Sequence, residues 1–298
     1  MKKVSFIFVA LMGMMAASCG NQSDELSNEQ TVELSQLVPV RVHVEGFSLS
    51  QEEFSGAQTR AAQDVADYSG INAVMLAFYK DDGTEAYKST QAKGDAGFGE
   101  FSLSLPMGSY TMVALAYHTS DGNPLVLTSP TVAEFTGHSY ETFSATQEVV
   151  ISNTNAVDIS ATLNRIITQL KVVSSDGKTA DVSNVRMTFS AGGKDFNPTT
   201  GFAITNTGFA NTVGNSATVG NPSTSSSFLF LATDEQNINV TIETLDADGN
   251  TLLSKTVNNV PFKRNRVTKL TGAMYTNEAL SGTFQVETAW LDEYSANF

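Results

Sequence analysis

The sequence has one cysteine, one tryptophan and three histidines in 298 residues, and each scarcity excludes something. Cys19 stands alone, so no disulfide can form within the chain, and the fold must rest on packing and sheet hydrogen bonds. His43, His118 and His138 are scattered, without HxH, HExxH or CxxC spacing. Neither a structural nor a catalytic metal is therefore expected, and no cofactor is implied. There is no G-x-S-x-G elbow, no P-loop and no G-x-G-x-x-G following a strand. The carboxylates Asp81, Asp82, Asp176 and Asp248 lie in turn-like sequences, where local backbone bonding accounts for them. Catalysis is not expected. Basic residues are also few, 17 against 31 acidic, for a net charge of −14. Such a field repels nucleic acid, whose binding needs Lys and Arg on the phosphates, and favours solubility. Sustained apolar stripes at helical spacing are missing too. The one short helix expected is near Thr131–Phe135.

The N-terminus supplies the first positive signal. Lys2-Lys3 precede an apolar run from Val4 to Ala17, interrupted only by Ser5 and followed by Ser18-Cys19-Gly20. A positive start, a short apolar stretch and small residues at a cleavage point make a secretory signal. The run falls short of the roughly 20 residues that span a bilayer. Ala16-Ala17-Ser18-Cys19 resembles a lipobox, which implies removal of residues 1–18 and lipidation of the Cys19 thiol. The chain is then expected at the outer membrane and cell surface, held by palmitate-type acyl chains. Residues 19–36 are polar and acidic and read as a flexible tether.

From residue 37 onward the apolar period is two. Val38, Val40, Val42 and Val44 alternate with Pro39, Arg41, His43 and Glu45, as in a half-buried strand, and Gly46 marks a bulge or bend before Phe47. This first strand is placed at 37–50, with a polar loop over 51–69. Further strands are expected at Ile71–Tyr79, Gly99–Leu105, Tyr110–His118, Glu148–Ser152, Val157–Leu163, Ile166–Val173 and Val185–Ser190. Ser227–Ala232, Ile238–Leu245, Thr251–Val257, Arg266–Tyr275 and Thr283–Trp290 complete the set, while Asn206–Ser227 reads as a long surface loop. With 41% hydrophobic residues and many short strands, the pattern predicts an all-β protein of two sandwiches, divided as 37–164 and 165–298.

Five blocks, taken in order, resemble the fimbrillin-like family of Bacteroidales surface lipoproteins, the type V pilins and their minor subunits. They are the lipobox at Cys19; Gln58-Thr59-Arg60-Ala61-Ala62 after the first strand; and Leu76-Ala77-Phe78-Tyr79 with its Asp81-Asp82-Gly83 turn. Pro106 to Ala114 and Arg264-Asn265-Arg266-Val267-Thr268-Lys269-Leu270-Thr271-Gly272 are the fourth and fifth. The resemblance implies two tandem transthyretin-like β-sandwiches with Greek-key character. It also implies that Ser23-Asp24-Glu25, if more than a linker, acts as a surface-export signal. In polymerising members an Arg-specific protease cuts after the first strand, here between Arg60 and Ala61. The strand bearing Val38, Val40, Val42 and Val44 then departs, and a neighbouring subunit's C-terminal strand fills the groove.

The donor is left open by the residues. Phe284, Val286, Thr288 and Trp290 share one face of the final strand, which is either the donor or the last strand of the second sandwich. The expected function is a shaft, tip or accessory subunit of a fimbria. Its partners would be other subunits, the protease and the membrane, with no nucleic acid. The alternative is a non-polymerising surface lipoprotein that binds glycan or host protein through its β-sandwiches.

Overall fold

The structure, a computed structural model, describes residues 36–48, 64–120, 122–276 and the backbone of 285–290. Cys19, Arg60, Ala61, Phe284 and the stretch 1–34 lie outside the described residues. Ser35–Phe298 forms one compact unit. Among the described residues every regular element is a strand, so the all-β sandwich expected from the apolar period is the fold found.

Alternation explains the first sheet. It contains β1 (Leu37–Ser48), β2 (Ala73–Lys80), β3 (Glu85–Ala92), β4 (Glu100–Pro106), β5 (Gly108–Tyr117), β8 (Thr142–Ile151) and β9 (Val157–Arg165), in the order β3-β2-β5-β8-β9-β1-β4. β8 and β9 pair only at Phe143↔Arg165 and Ser144↔Asn164. Beyond that corner they part into two layers, and the sheet folds over on itself into a sandwich. Val38, Val40, Val42 and Val44 of β1 point into its core against Val74, Leu76 and Phe78 of β2 and Met112, Ala114 and Ala116 of β5. Gly46 adopts φ 137° where the β1–β9 register shifts, the bulge that its sequence position predicts.

The apolar runs of β2 and β5 are buried on both faces. Their other face, with Ala73, Met75, Ala77, Tyr79, Val113, Leu115 and Tyr117, forms a second core. It is covered by β6 (Leu125–Ser129), β7 (Val132–Phe135) and β12 (Asp195–Phe196), which make a three-stranded sheet. Ile166, Ile167, Phe196 and Phe230 enter this core, so it ties residues on both sides of position 164 together. A third core lies between two four-stranded sheets. One has the order β14 (Thr224–Leu229), β10 (Thr168–Ser174), β17 (Arg266–Gly272), β18 (Gln285–Trp290). The other has the order β13 (Phe209–Gly214), β11 (Asn184–Phe189), β15 (Glu235–Leu245), β16 (Thr251–Lys263). The halves share a local plan. β1 runs parallel to β9 and antiparallel to β4, and β10 runs parallel to β17 and antiparallel to β14.

Three expectations are corrected. Thr131–Phe135 is not a helix but largely β7, with Ala133 and Phe135 buried and Val132 and Glu134 exposed. So short a run satisfies either period. The stretch expected as one loop, Asn206–Ser227, contains β13 and the start of β14, whose inward residues are small or polar, as in Asn211 and Ser225. Asp176 is no local turn carboxylate. It accepts the backbone N–H groups of Met274, Tyr275 and Thr276 at 2.7, 2.8 and 2.9 Å, nearly a hundred residues along the chain. Burial alone would raise its pKa, but these bonds outweigh burial and hold it below the ordinary carboxylate value. Asp82, by contrast, does bond locally, to the Thr84 N–H at 2.8 Å.

Candidate functional site

β1 is an interior strand. Leu37 to His43 pair with Pro106 to Glu100 of β4, and Val40 to Ser48 pair with Val157 to Asn164 of β9. Pro39 precedes the start of pairing with β9 at Val40, so its missing N–H falls where β1 is flanked on one side only. Val38, Val40, Val42, Val44 and Phe47 have no exposed surface. Arg41 and His43 face solvent and reach Asp158 of β9 at 3.5 Å and Glu100 of β4, so the side-chain contacts of these two residues are exposed. Gly99, at φ 93°, lets the chain before β4 pass close to Val65 and Val44, and its carbonyl accepts the Val44 N–H at 3.0 Å. Taking β1 away would leave β4 and β9 facing each other across an apolar trough with unpaired backbone groups on both walls.

The C-terminal end of β1 is fixed by an aromatic and ionic cluster. The Phe47 ring lies 4.0 Å from Phe143 and 5.1 Å from Tyr68, centroid to centroid. Tyr68 donates its hydroxyl to Glu141 at 2.6 Å. Arg165, at the end of β9, lies over the Phe143 ring at 4.8 Å and contacts Glu141 at 2.8 Å. It also donates to the Tyr68 hydroxyl at 2.9 Å and to Asn265 Oδ1 at 3.0 Å. Burial pushes the Tyr68 phenol far above its ordinary pKa, and Glu141 adds to the rise against the opposing pull of Arg165. Asn265 sits at φ 60° in the β16–β17 turn, and its N–H bonds the Ile167 carbonyl at 3.0 Å. The cluster therefore joins the end of β1, the segment that resumes at residue 64, and the turn ahead of β17.

Sequence reasoning singled out the Arg264-Asn265-Arg266 block but not its link to Arg165. The available signal was an arginine set between Leu163 and Ile166-Ile167, a place where a charge must find partners to be buried.

Among the described residues β18 lies at the edge of its sheet and pairs only with β17, Gln285↔Thr271 through Trp290↔Arg266. Val286, Thr288 and Trp290 of the candidate donor are on this strand. The segment preceding it, up to Thr276, is held by Asp176. Among the described residues no group of three or more His, Cys, Asp or Glu is placed to hold a metal.

These features define a class: all-β sandwiches whose first strand is built into the interior of a sheet although residues 49–72 separate it from the next strand. A family model of unknown function, DUF6562, matches residues 35–297, and the chain belongs to that family. No curated protein matches it in sequence. Among solved structures, a candidate adhesin from Bacteroides ovatus ATCC 8483 is 11% identical with a TM-score of 0.51, covering 80% of this chain and 88% of its own. A second candidate adhesin from Bacteroides ovatus is 12% identical with a TM-score of 0.50, covering 84% and 95%. The fimbrial anchor protein Mfa2 from Porphyromonas gingivalis is 9% identical with a TM-score of 0.48, covering 86% and 97%. At the level of fold, the adhesin neighbours are in keeping with the fimbrillin-like resemblance of the sequence blocks.

Proposed function

We propose that this chain is a subunit of a cell-surface fimbria, exported as a lipoprotein through Cys19 and assembled by donor-strand exchange. A protease cuts after Arg60, the segment carrying β1 leaves, and a strand from a neighbouring subunit takes its place between β4 and β9. The role is structural and adhesive rather than enzymatic, and two proteins of the same fold are described as candidate adhesins.

The observation that supports this reading is the position of β1. Five fully buried side chains and two flanking strands hold it, yet it connects forward only through residues 49–72, which contain Arg60. Strand addition satisfies the trough's backbone groups and its apolar surface in one step, which makes assembly persistent without a covalent bond. The C-terminal residues 284–290 are the candidate donor, since β18, which holds Gln285–Trp290, has among the described residues one neighbour to leave rather than two.

The test uses purified protein cut after Arg60 and a labelled peptide spanning residues 281–298. Uptake of the peptide with release of the β1 fragment, and heat-resistant oligomers of the cut protein, are expected. A cut chain that keeps its own strand, takes up no peptide and stays monomeric would refute the proposal.

A further inference from the structure

A cleft of about 390 Å³ opens between the loop around residues 138–140 and strands β13 and β14, with no residue of β1 in its lining. Its volume lies within the range of small-molecule sites, at the lower end. In a chain of net charge −14, none of the residues lining it is Asp, Glu, Lys or Arg. A charged ligand would find no counter-charge among the lining side chains, and an apolar one would strand the polar wall.

The wall combines hydrogen-bonding groups with ring surface. Ser139 lines the cleft at 3% exposure, and its hydroxyl has no hydrogen-bond partner within the protein. Buried hydroxyls of that kind need an explanation, because leaving one unpaired is costly. Asn211, 4% exposed, gives one amide N–H to Ser227 Oγ at 2.6 Å, which fixes the orientation of its side chain. Burial, reinforced by Lys194, lowers the His138 pKa and favours a neutral ring that can both donate and accept. The aromatic residues Tyr140 and Phe228 also line the cleft. The loop is held in place: Asn123 Oδ1 accepts the His138 N–H at 2.7 Å, and the Tyr140 and Ser120 hydroxyls are 2.9 Å apart.

Uncharged amide, hydroxyl and imidazole groups beside aromatic surface match a ligand with neutral hydroxyls on its rim and C–H bonds on its faces. We propose that this cleft binds a neutral saccharide, the terminal unit of a glycan, with Ser139 and Asn211 as hydrogen-bonding residues. The site involves neither β1 nor β18 and stands independently of strand exchange.

Gly214 gives a clean way to close it. It lines the cleft, and a Cβ built there would meet nothing within 4 Å, so Gly214→Trp adds bulk at the cleft wall without a clash at its Cβ. The uncut chain would be titrated by calorimetry with methyl glucoside, methyl galactoside, methyl mannoside and N-acetylglucosamine, with N-acetylneuraminic acid as the charged control. Saturable binding of at least one neutral sugar is expected, abolished in Gly214→Trp and weakened about fivefold or more in Ser139→Ala. N-acetylneuraminic acid should not bind. An absence of binding across the neutral panel overturns the proposal, as does binding that survives Gly214→Trp, or an affinity unchanged by Ser139→Ala. Circular dichroism of both variants, expected to match the parent, separates loss of the site from loss of the fold.

Discussion

Replacing Val42 by alanine tests whether β1 is held by its buried face. Val42 has no exposed surface and sits between β4 and β9, in register with Phe101 and Ile159. Two methyl groups leave the core, which costs about 1.6 kcal/mol at ~0.8 kcal/mol each. The space they vacate, roughly 45 Å³, adds about 1 kcal/mol at ~24 cal/mol per Å³. The expected loss is therefore about 2.5 kcal/mol, read as a lower urea midpoint at unchanged slope. Arg41→Ala is the control on the same strand. Its ion pair with Asp158 spans 3.5 Å between side chains 68% and 70% exposed, and its removal should shift stability by less than about 0.5 kcal/mol. In protein cut after Arg60, the Val42→Ala strand should be retained about 60-fold less tightly, the same difference at ~1.4 kcal/mol per tenfold. A Val42→Ala protein within about 0.5 kcal/mol of the parent would refute the reasoning, as would an equal loss on Arg41→Ala.

Arg165→Met should destabilise the protein by about 3–5 kcal/mol in the same urea experiment. It leaves Glu141, whose side chain is 13% exposed, beside a phenol with no cation to balance it. Asp176→Asn bears on acid sensitivity. The folded-state pKa of Asp176 is lowered, so its contribution is complete above the ordinary carboxylate value near 4 and is lost as pH falls through the lower folded value. Stability profiles of parent and variant should therefore differ by a constant amount at neutral pH and converge below about pH 4. Curves that stay parallel to pH 2 would show that the carboxylate does not hold Met274 to Thr276.

Much of the fold is legible where one face of a strand is buried and the other is wet. Val38 to Val44 announce β1 because each inward valine alternates with an outward polar or proline residue, and Gly46 announces its bulge. β3 escapes detection because it is an edge strand, and Glu85 to Ala92 are all at least partly exposed. β13 escapes because the residue it buries, Asn211, is polar. β2 and β5 are readable as strands. Their double-sided burial, however, depends on β6, β7 and Phe230 arriving from elsewhere.

The same limit governs the site. Apolar period shows that β1 has a buried face but not that it lies between two partners, since hydrogen-bonded neighbours leave no trace in the strand's own residues. The cluster of Phe47, Tyr68, Glu141, Arg165 and Asn265 gathers distant positions, with Arg165 and Asn265 alone 100 residues apart, so each residue alone looks like an ordinary loop or strand-end residue. Asp176 hides its role for the same reason, because a Ser-Asp-Gly turn explains the carboxylate locally and conceals its bonds to the segment before β18.

The central claim is that β1 belongs to the precursor and not to the assembled subunit. N-terminal sequencing of the protein recovered from the cell surface tests it most directly. A chain beginning at Ala61 is the predicted result, with β1 gone and its trough filled from a neighbour. A chain blocked by lipid at Cys19 and retaining residues 19–60 would contradict it.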